Sequence, residues 1–215
     1  MGARGPYAPG VARREELIQA ALQVFATKGY EAVSLRELAA QVGISHTGLR
    51  HHFASKEELL MAVLRYRDEQ ALEPEKTDGV TGMDWLRASE QVVAHNVRQP
   101  HLVQLFATLS TAAVEPSHPA HAYFVKRYAQ AREMAAEHVR AAQAAGQIGA
   151  DVNPELVSQL FLATMDGLQI QWLLDPEAVD MTAAYGQFLS RFIEALSATV
   201  SPSAESRFTR SVGEE

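Results

Sequence analysis

Apolar residues recur at helical spacing along most of the chain, with short polar or Gly/Pro-containing interruptions. Within residues 11–30, Leu17, Ala21, Val24 and Phe25 fall three and four positions apart, and Ile18 and Leu22 widen the stripe, which predicts an amphipathic helix. Gly29 is placed to end it in a left-handed cap, with Tyr30 packing back. Ser34, with Glu37 three residues on, has the spacing of a capping box and opens a helix over 35–41 that buries Leu35, Leu38 and Ala39. Gly43 breaks that helix. Ser45 then caps a third helix over about 46–52, anchored by Leu49 and closed by Phe53. Ser55, with Glu58 at the box position, opens a fourth, and Leu59, Leu60, Val63 and Leu64 form its buried side. Four helices joined by tight turns make a compact head.

Residues 73–82 read as a loop. Beyond it the pattern predicts helices at about 83–98, 101–114, 119–146, 154–174 and 177–197. Pro100, Pro119, Pro154 and Pro176 mark their starts, because proline is tolerated in a first turn. The alanine-rich span 119–146 suits close helix packing. No internal repeat is visible. The expected fold is all-α, a short N-terminal four-helix head followed by a larger C-terminal helical body. Residues 1–10, with Gly or Pro at five of ten positions, are expected to be a disordered arm. Residues 11–65 form the head, 66–197 the body, and 198–215 a frayed tail.

Composition narrows the function. The 215 residues are 47% hydrophobic, enough for a sizeable core, and contain no cysteine. That excludes disulfides, thiolate catalysis and cysteine-ligated metals, and fits a reducing compartment. The first ten residues lack the apolar run of a signal peptide, and no stretch of eighteen apolar residues predicts a membrane span, so a cytoplasmic protein is expected. The net charge of -7 argues against nucleic acid until its distribution is considered. Residues 1–65 carry 8 Lys/Arg against 6 Asp/Glu, whereas residues 66–215 carry 11 against 20. A basic head can neutralise phosphates while an acidic body stays off the duplex.

The segment 34–60, SLRELAAQVGISHTGLRHHFASKEELL, supplies a short helix, a Gly-containing turn and a second short helix. In a helix-turn-helix the first helix braces the second, whose N-terminal residues meet base edges in the major groove. Ser45, His46 and Thr47 offer donors and acceptors without bulk. Gly48 costs helix stability, roughly 1 kcal/mol relative to Ala, and is expected to admit the DNA closely. Arg50 suits a phosphate or a bidentate pair with guanine. Lys56 lies at a helix N-terminus, where backbone N–H groups also favour phosphate. Ser34 and Arg36, and further off Thr27 and Lys28, are candidate phosphate contacts, and His51 stands on the same element as Arg50. A Gly turn between short helices also occurs in proteins that bind no DNA. Leu35, Leu38, Leu49 and Phe53 are core in either case, and His52 is either packed or a contact.

Three segments in order, LIQAALQVFATKGY, SLRELAAQVGIS and LRHHFASKEELL, resemble the N-terminal domain of the TetR family of transcriptional regulators over about residues 13–64. The resemblance implies that Ser45 through Gly48 face the major groove and that His51 and Lys56 lie near DNA. Two positions depart from the family pattern: Arg50 stands where a phosphate-contacting Tyr is common, and Gly48 where Thr or a similar small residue is common. The resemblance also implies a ligand that releases DNA by changing the disposition of two heads. Repression is the usual family behaviour, with activation left open.

A short head makes few base contacts, so two heads on a symmetric dimer reading a palindrome are expected. The last two long helices carry Leu156, Leu160, Phe161, Met165, Leu168, Trp172 and Leu173, then Met181, Tyr185, Phe188, Leu189, Phe192 and Ile193. That is more apolar surface than one helix face needs. Part is expected to face the body's own core and part a second copy. With the family resemblance this implies a homodimer through an intermolecular four-helix bundle, the alternative being that all of it is intramolecular core. The segment 166–176, DGLQIQWLLDP, resembles the C-terminal domain of the family branch containing choline–betaine repressors. A small-molecule effector is expected among helices 83–174, against Trp85, His95, Phe106, Tyr123, Tyr128, Met165, Gln169 and Trp172, with Leu102, Leu109, Phe124 and Met134 as further wall positions. Aromatic and Met residues at helical spacing are also ordinary core.

No cofactor or metal is expected. HPAH places His118 and His121 three apart, with His95 and His101 as further nitrogen ligands, but it lacks an H-E-x-x-H and a carboxylate partner. No nucleophile elbow, phosphate-cradling glycine loop or dinucleotide fingerprint appears, so an enzyme is not expected. The competing reading is a protein-binding or scaffolding helical dimer without specific DNA affinity.

Overall fold

α-Helix is the only regular secondary structure among the residues described by the computed structural model, 8–71 and 79–200. The helices are α1 (Ala8–Lys28), α2 (Leu35–Gln41), α3 (His46–His52), α4 (Lys56–Ala71), α5 (Met83–Val97), α6 (Pro100–Ala112), α7 (His121–Ala144), α8 (Pro154–Leu174) and α9 (Met181–Ser197). None is long and apolar enough to cross a membrane. Packing separates two units, one within Met1–Pro74 and Ala94–Arg127, the other within Glu75–Val93 and Tyr128–Glu215. This division follows packing and therefore cuts across the functional boundary at 65/66 read from the sequence.

In the first unit the stripe of α1 is buried as its spacing requires, with Leu17, Ala21, Leu22 and Phe25 almost wholly covered, and it packs on α4 and α6. The Gly29 N–H closes α1 on the Phe25 carbonyl at 3.1 Å, and Tyr30 returns edge-on to the Phe25 ring at 5.4 Å. Leu35 is only half-buried, while Leu38 and Ala39 carry the contact of α2. α1 starts at Ala8, earlier than the arm boundary at residue 10, because Pro9 falls in the first turn, where its missing N–H costs no hydrogen bond. Residues 1–7 of the expected arm and 201–215 of the expected tail lie outside the described residues.

In the second unit α7 places Ala135, Ala136 and Ala142 at buried positions, so its alanines serve close approach as expected. α8 contributes Val157, Phe161 and Trp172 to the core, and α9 contributes Met181, Tyr185, Leu189 and Leu196. The buried Tyr185 hydroxyl lies 2.8 Å from Ser89 Oγ, which gives its own proton to the Leu86 carbonyl, so Tyr185 is the donor. Burial raises the Tyr185 pKa above the usual phenol range. α9 begins at Met181, not near 177. Pro176 sits in a turn between two capping aspartates: Asp175 Oδ1 accepts the Ala178 N–H and Asp180 Oδ1 accepts the Ala183 N–H.

Candidate nucleic-acid interface

α2 and α3 are seven residues each, too short to persist alone, and caps hold their ends. Ser34 Oγ accepts the Glu37 N–H at 3.2 Å, and the Glu37 carboxylate takes both the Ser34 N–H and the Ser34 hydroxyl proton. Those bonds, the backbone one first, lower the Glu37 pKa. The Ser34 hydroxyl is thus committed to the cap, which leaves its proton unavailable to a phosphate in this state. Gly43 turns the chain between the helices at φ 69, a conformation other side chains rarely adopt. Ser45 Oγ accepts the Gly48 N–H at 2.9 Å and opens α3.

The register of α3 separates its faces. Leu49, and Phe53 at its C-terminal cap, point into the core, while Thr47, Arg50 and His51 are exposed at i, i+3 and i+4 on one side. Ser45 and Arg36 are exposed too, and His46, Gly48, His52 and Lys56 are half-buried. Among the described residues no side-chain hydrogen bond or ion pair engages Arg36, Thr47, Arg50 or His51. Gly48 has a local reason besides access: a Cβ there would meet Ser45 Oγ at 3.2 Å, crowding the hydroxyl that caps the helix. The α4 start differs from a simple box. The Glu58 N–H reaches Ser55 Oγ at 3.1 Å, but the Glu58 carboxylate accepts from Ala54, one residue upstream of the cap.

Lys56 is held by a partner that local sequence does not reveal. Its ammonium lies 4.0 Å from the Tyr30 ring centroid, and His118 also meets Tyr30, edge-on at 5.5 Å. The Tyr30 pKa is raised, first by burial and then by Glu57 and Glu31. His118 Nδ1 accepts the Ala120 N–H, which leaves Nε2 as the N–H atom, buried, without a hydrogen bond and 3.9 Å from Glu31. A stack of His118, Tyr30 and Lys56 therefore joins the α6–α7 connection to the start of α4. Arg14 covers the Phe53 ring at 4.6 Å and braces α3 from α1.

The expected effector residues fall in both units. In the first, Phe106 is buried with Arg67 4.3 Å and Arg127 5.2 Å from its centroid, and the Tyr123 hydroxyl donates to Asp68. Burial and then the Asp68 bond raise the Tyr123 pKa. His95 Nε2 lies 3.2 Å from the Gln70 carbonyl oxygen and 2.8 Å from Gln99 Nε2. In the second unit Trp85 stacks on His138 at 4.4 Å and touches Phe161, and Tyr128 donates to Asp166 at 2.8 Å. Burial lowers the His138 pKa. Gln169 and Trp172 are buried and Met165 half-buried on α8, while Met134 is exposed. An open groove of about 570 Å³ in the first unit runs past Gln19, Gln23, Tyr66, Gln70 and His101, and only Leu102 of the expected wall lines it. Among the described residues no three His, Asp or Glu side chains gather to hold a metal, and His118 and His121 each spend a ring nitrogen on backbone.

Similarity to known proteins follows the same architecture. Residues 17–63 match bacterial regulatory proteins of the tetR family, and residues 84–198 match the C-terminal domain of BetI-type transcriptional repressors. The HTH-type transcriptional regulator UidR of Escherichia coli (strain K12) is 28% identical over 185 residues, 84% of this chain and 90% of UidR. Salmonella enterica GusR superposes with a TM-score of 0.70 at 25% identity, covering 94% of this chain and 100% of GusR. A TetR transcriptional regulator from Chloroflexus aurantiacus J-10-FL superposes at 0.75 with 22% identity, covering 86% of this chain and 96% of its own. Capped short helices at residues 17–63 and a helical segment at residues 84–198, each matching its family model, place this chain in the TetR family of transcriptional regulators.

Proposed function

We propose that the protein is a cytoplasmic repressor that binds a palindromic operator as a homodimer and is released by a small-molecule effector. The observation that carries the DNA reading is the face of α3, where Thr47, Arg50 and His51 are exposed and hold no side-chain partner among the described residues. Residues 11–65 supply this reader and 66–197 the dimer and the effector site. Ser45, His46, Thr47 and Gly48 enter the major groove, Arg50 reads a base, and Arg36, His51 and Lys56 hold phosphates. Ser34 acts through its cap. The dimer reading rests on α8, where Leu156, Leu160, Ile170 and Leu174 are 53%, 52%, 46% and 80% exposed in the single chain. Isolated apolar surface residues are ordinary; four on one helix mark an interface.

Recovery and sequencing of genomic fragments bound by the purified dimer tests this. Enrichment of one short palindrome, with affinity falling steeply with salt, is expected. A folded, ligand-free dimer that enriches none is a scaffold instead. On the recovered operator, Arg50→Ala should cost about 1–3 kcal/mol and relax preference at one base position per half-site. Uniform weakening across sequences would reassign Arg50 to phosphate. Lys56→Ala should weaken all sequences alike and reduce the salt slope by about one.

A further inference from the structure

Arg67 on α4 is only 4% exposed, yet it lacks a satisfactory partner. Its Nε has no hydrogen bond and no access to water. Its Nη1 lies 3.4 Å from Asp68 Oδ1, the same oxygen that Arg127 holds at 2.7 Å. The other oxygen of Asp68 takes the Tyr123 hydroxyl. Asp68 is therefore already spoken for, and two guanidinium groups, both near the Phe106 ring, share one carboxylate. Burial, and then Arg127, depress the Arg67 pKa to about 10, which still leaves it charged at neutral pH. The cluster holds one uncompensated positive charge, and Arg67 itself is sealed from water, an arrangement that folding disfavours unless something else binds there.

We propose that Arg67 and Arg127 bind the carboxylate of a small organic acid, and that this acid is the effector. The regulatory half of this statement rests on the function proposed above. One surplus charge calls for a monoanion, and the guanidinium fork matches two planar oxygens. A phosphate dianion would overshoot the charge beside Asp68. The acid's remainder is apolar, since Phe106 and Phe124 meet edge-on at 5.4 Å and Tyr123 meets Phe124 at 5.1 Å. Because Nε is sealed in the present state, the acid favours a state in which Arg67 on α4 withdraws from Phe106 on α6 and exposes that edge. A ligand shifts an equilibrium only by such a difference in affinity. α4 also carries Lys56 at its first residue, so the shift acts on the DNA-binding face directly.

The test is a titration of the full-length, nitrogen-15-labelled protein without DNA, following the arginine Nε–H resonances. Arg67→Met and Arg127→Met assign the two signals. The probes are benzoate, acetate and octanoate, with benzamide as neutral isostere and inorganic phosphate as the dianion. At least one carboxylate should shift both resonances saturably, benzamide should not, and phosphate should bind at least about tenfold more weakly. Arg67→Met should keep wild-type helical circular dichroism and lose the response. If that variant misfolds, Arg127→Met, at a partly exposed position, carries the same expectation. Silence of all three carboxylates overturns the proposal, as does an equal response to benzamide or an undiminished carboxylate response in the variant. Operator binding is read separately: a protein that binds its palindrome but no carboxylate sinks this inference alone. One that binds carboxylate but no palindrome keeps the site and loses the regulator.

Discussion

Leu160→Asp is expected to convert the protein to a monomer and to lower operator affinity by about a thousandfold, roughly 4 kcal/mol. The exposed apolar positions of α8 are not scattered. Leu156, Leu160, Ala163, Ile170 and Leu174, with the half-buried Gly167 among them, follow one another at intervals of four, three, four, three and four, the spacing of a helix–helix seam. Gly167 leaves open space where a Cβ would stand, which lets a second helix approach closely at the middle of that seam. Burying a leucine from water contributes about 1.5–3 kcal/mol, and two-fold symmetry counts each side chain twice. An aspartate at 160 reverses the gain and places a carboxylate in the apolar seam of each subunit. A monomer keeps one head and reads a half-site. Sedimentation velocity reports the mass and operator titration the affinity. Gln104→Asp, on the exposed side of α6, should change neither. A Leu160→Asp protein that remains dimeric would move the interface away from α8.

The head was legible because its determinants are local. Ser34 and Glu37 lie three residues apart, Gly43 is where the turn must be, and the limits of α2 and α3 fall where those signals put them. α9 misled because Pro176 has the look of a first-turn proline, and only the two aspartate caps show that the chain turns there before the helix begins. The proposed effector site was legible in part. Phe106 and Tyr123 stand out as aromatic positions, but spacing says only that they are buried. Nothing in the spacing singles out Arg67, Asp68 or Arg127, and the contacts that gather them come from distant parts of the chain, as Tyr123 joins Asp68. Tyr30 beneath Lys56 was hidden for the same reason. Periodicity reports which side of a helix leaves water; it does not report which distant charge arrives to meet it.

Phe53→Ala should abolish specific DNA binding although Phe53 touches no DNA. Its ring is fully buried, it ends α3 with an N–H bond to the Leu49 carbonyl at 3.0 Å, and Arg14 lies over its face. α3 has seven residues and a glycine, so its own helical preference contributes little. Leu49 and Phe53 are what fix its depth and rotation, and hence the direction of Thr47, Arg50 and His51. Truncating a buried phenylalanine costs about 3–5 kcal/mol, a large share of the roughly 5–15 kcal/mol that holds a domain together. α8 lies in the other packing unit, so the variant should stay dimeric while its head melts at lower temperature. Calorimetry and sedimentation on one sample separate these effects. Arg50→Ala makes the opposite pair, with an unchanged melt and altered base preference. Phe53→Leu, which keeps most of the buried volume, should recover much of the binding. A Phe53→Ala protein that binds the operator within about threefold of wild type, a difference of about 0.7 kcal/mol, would show that α3 is positioned by something other than its core contacts.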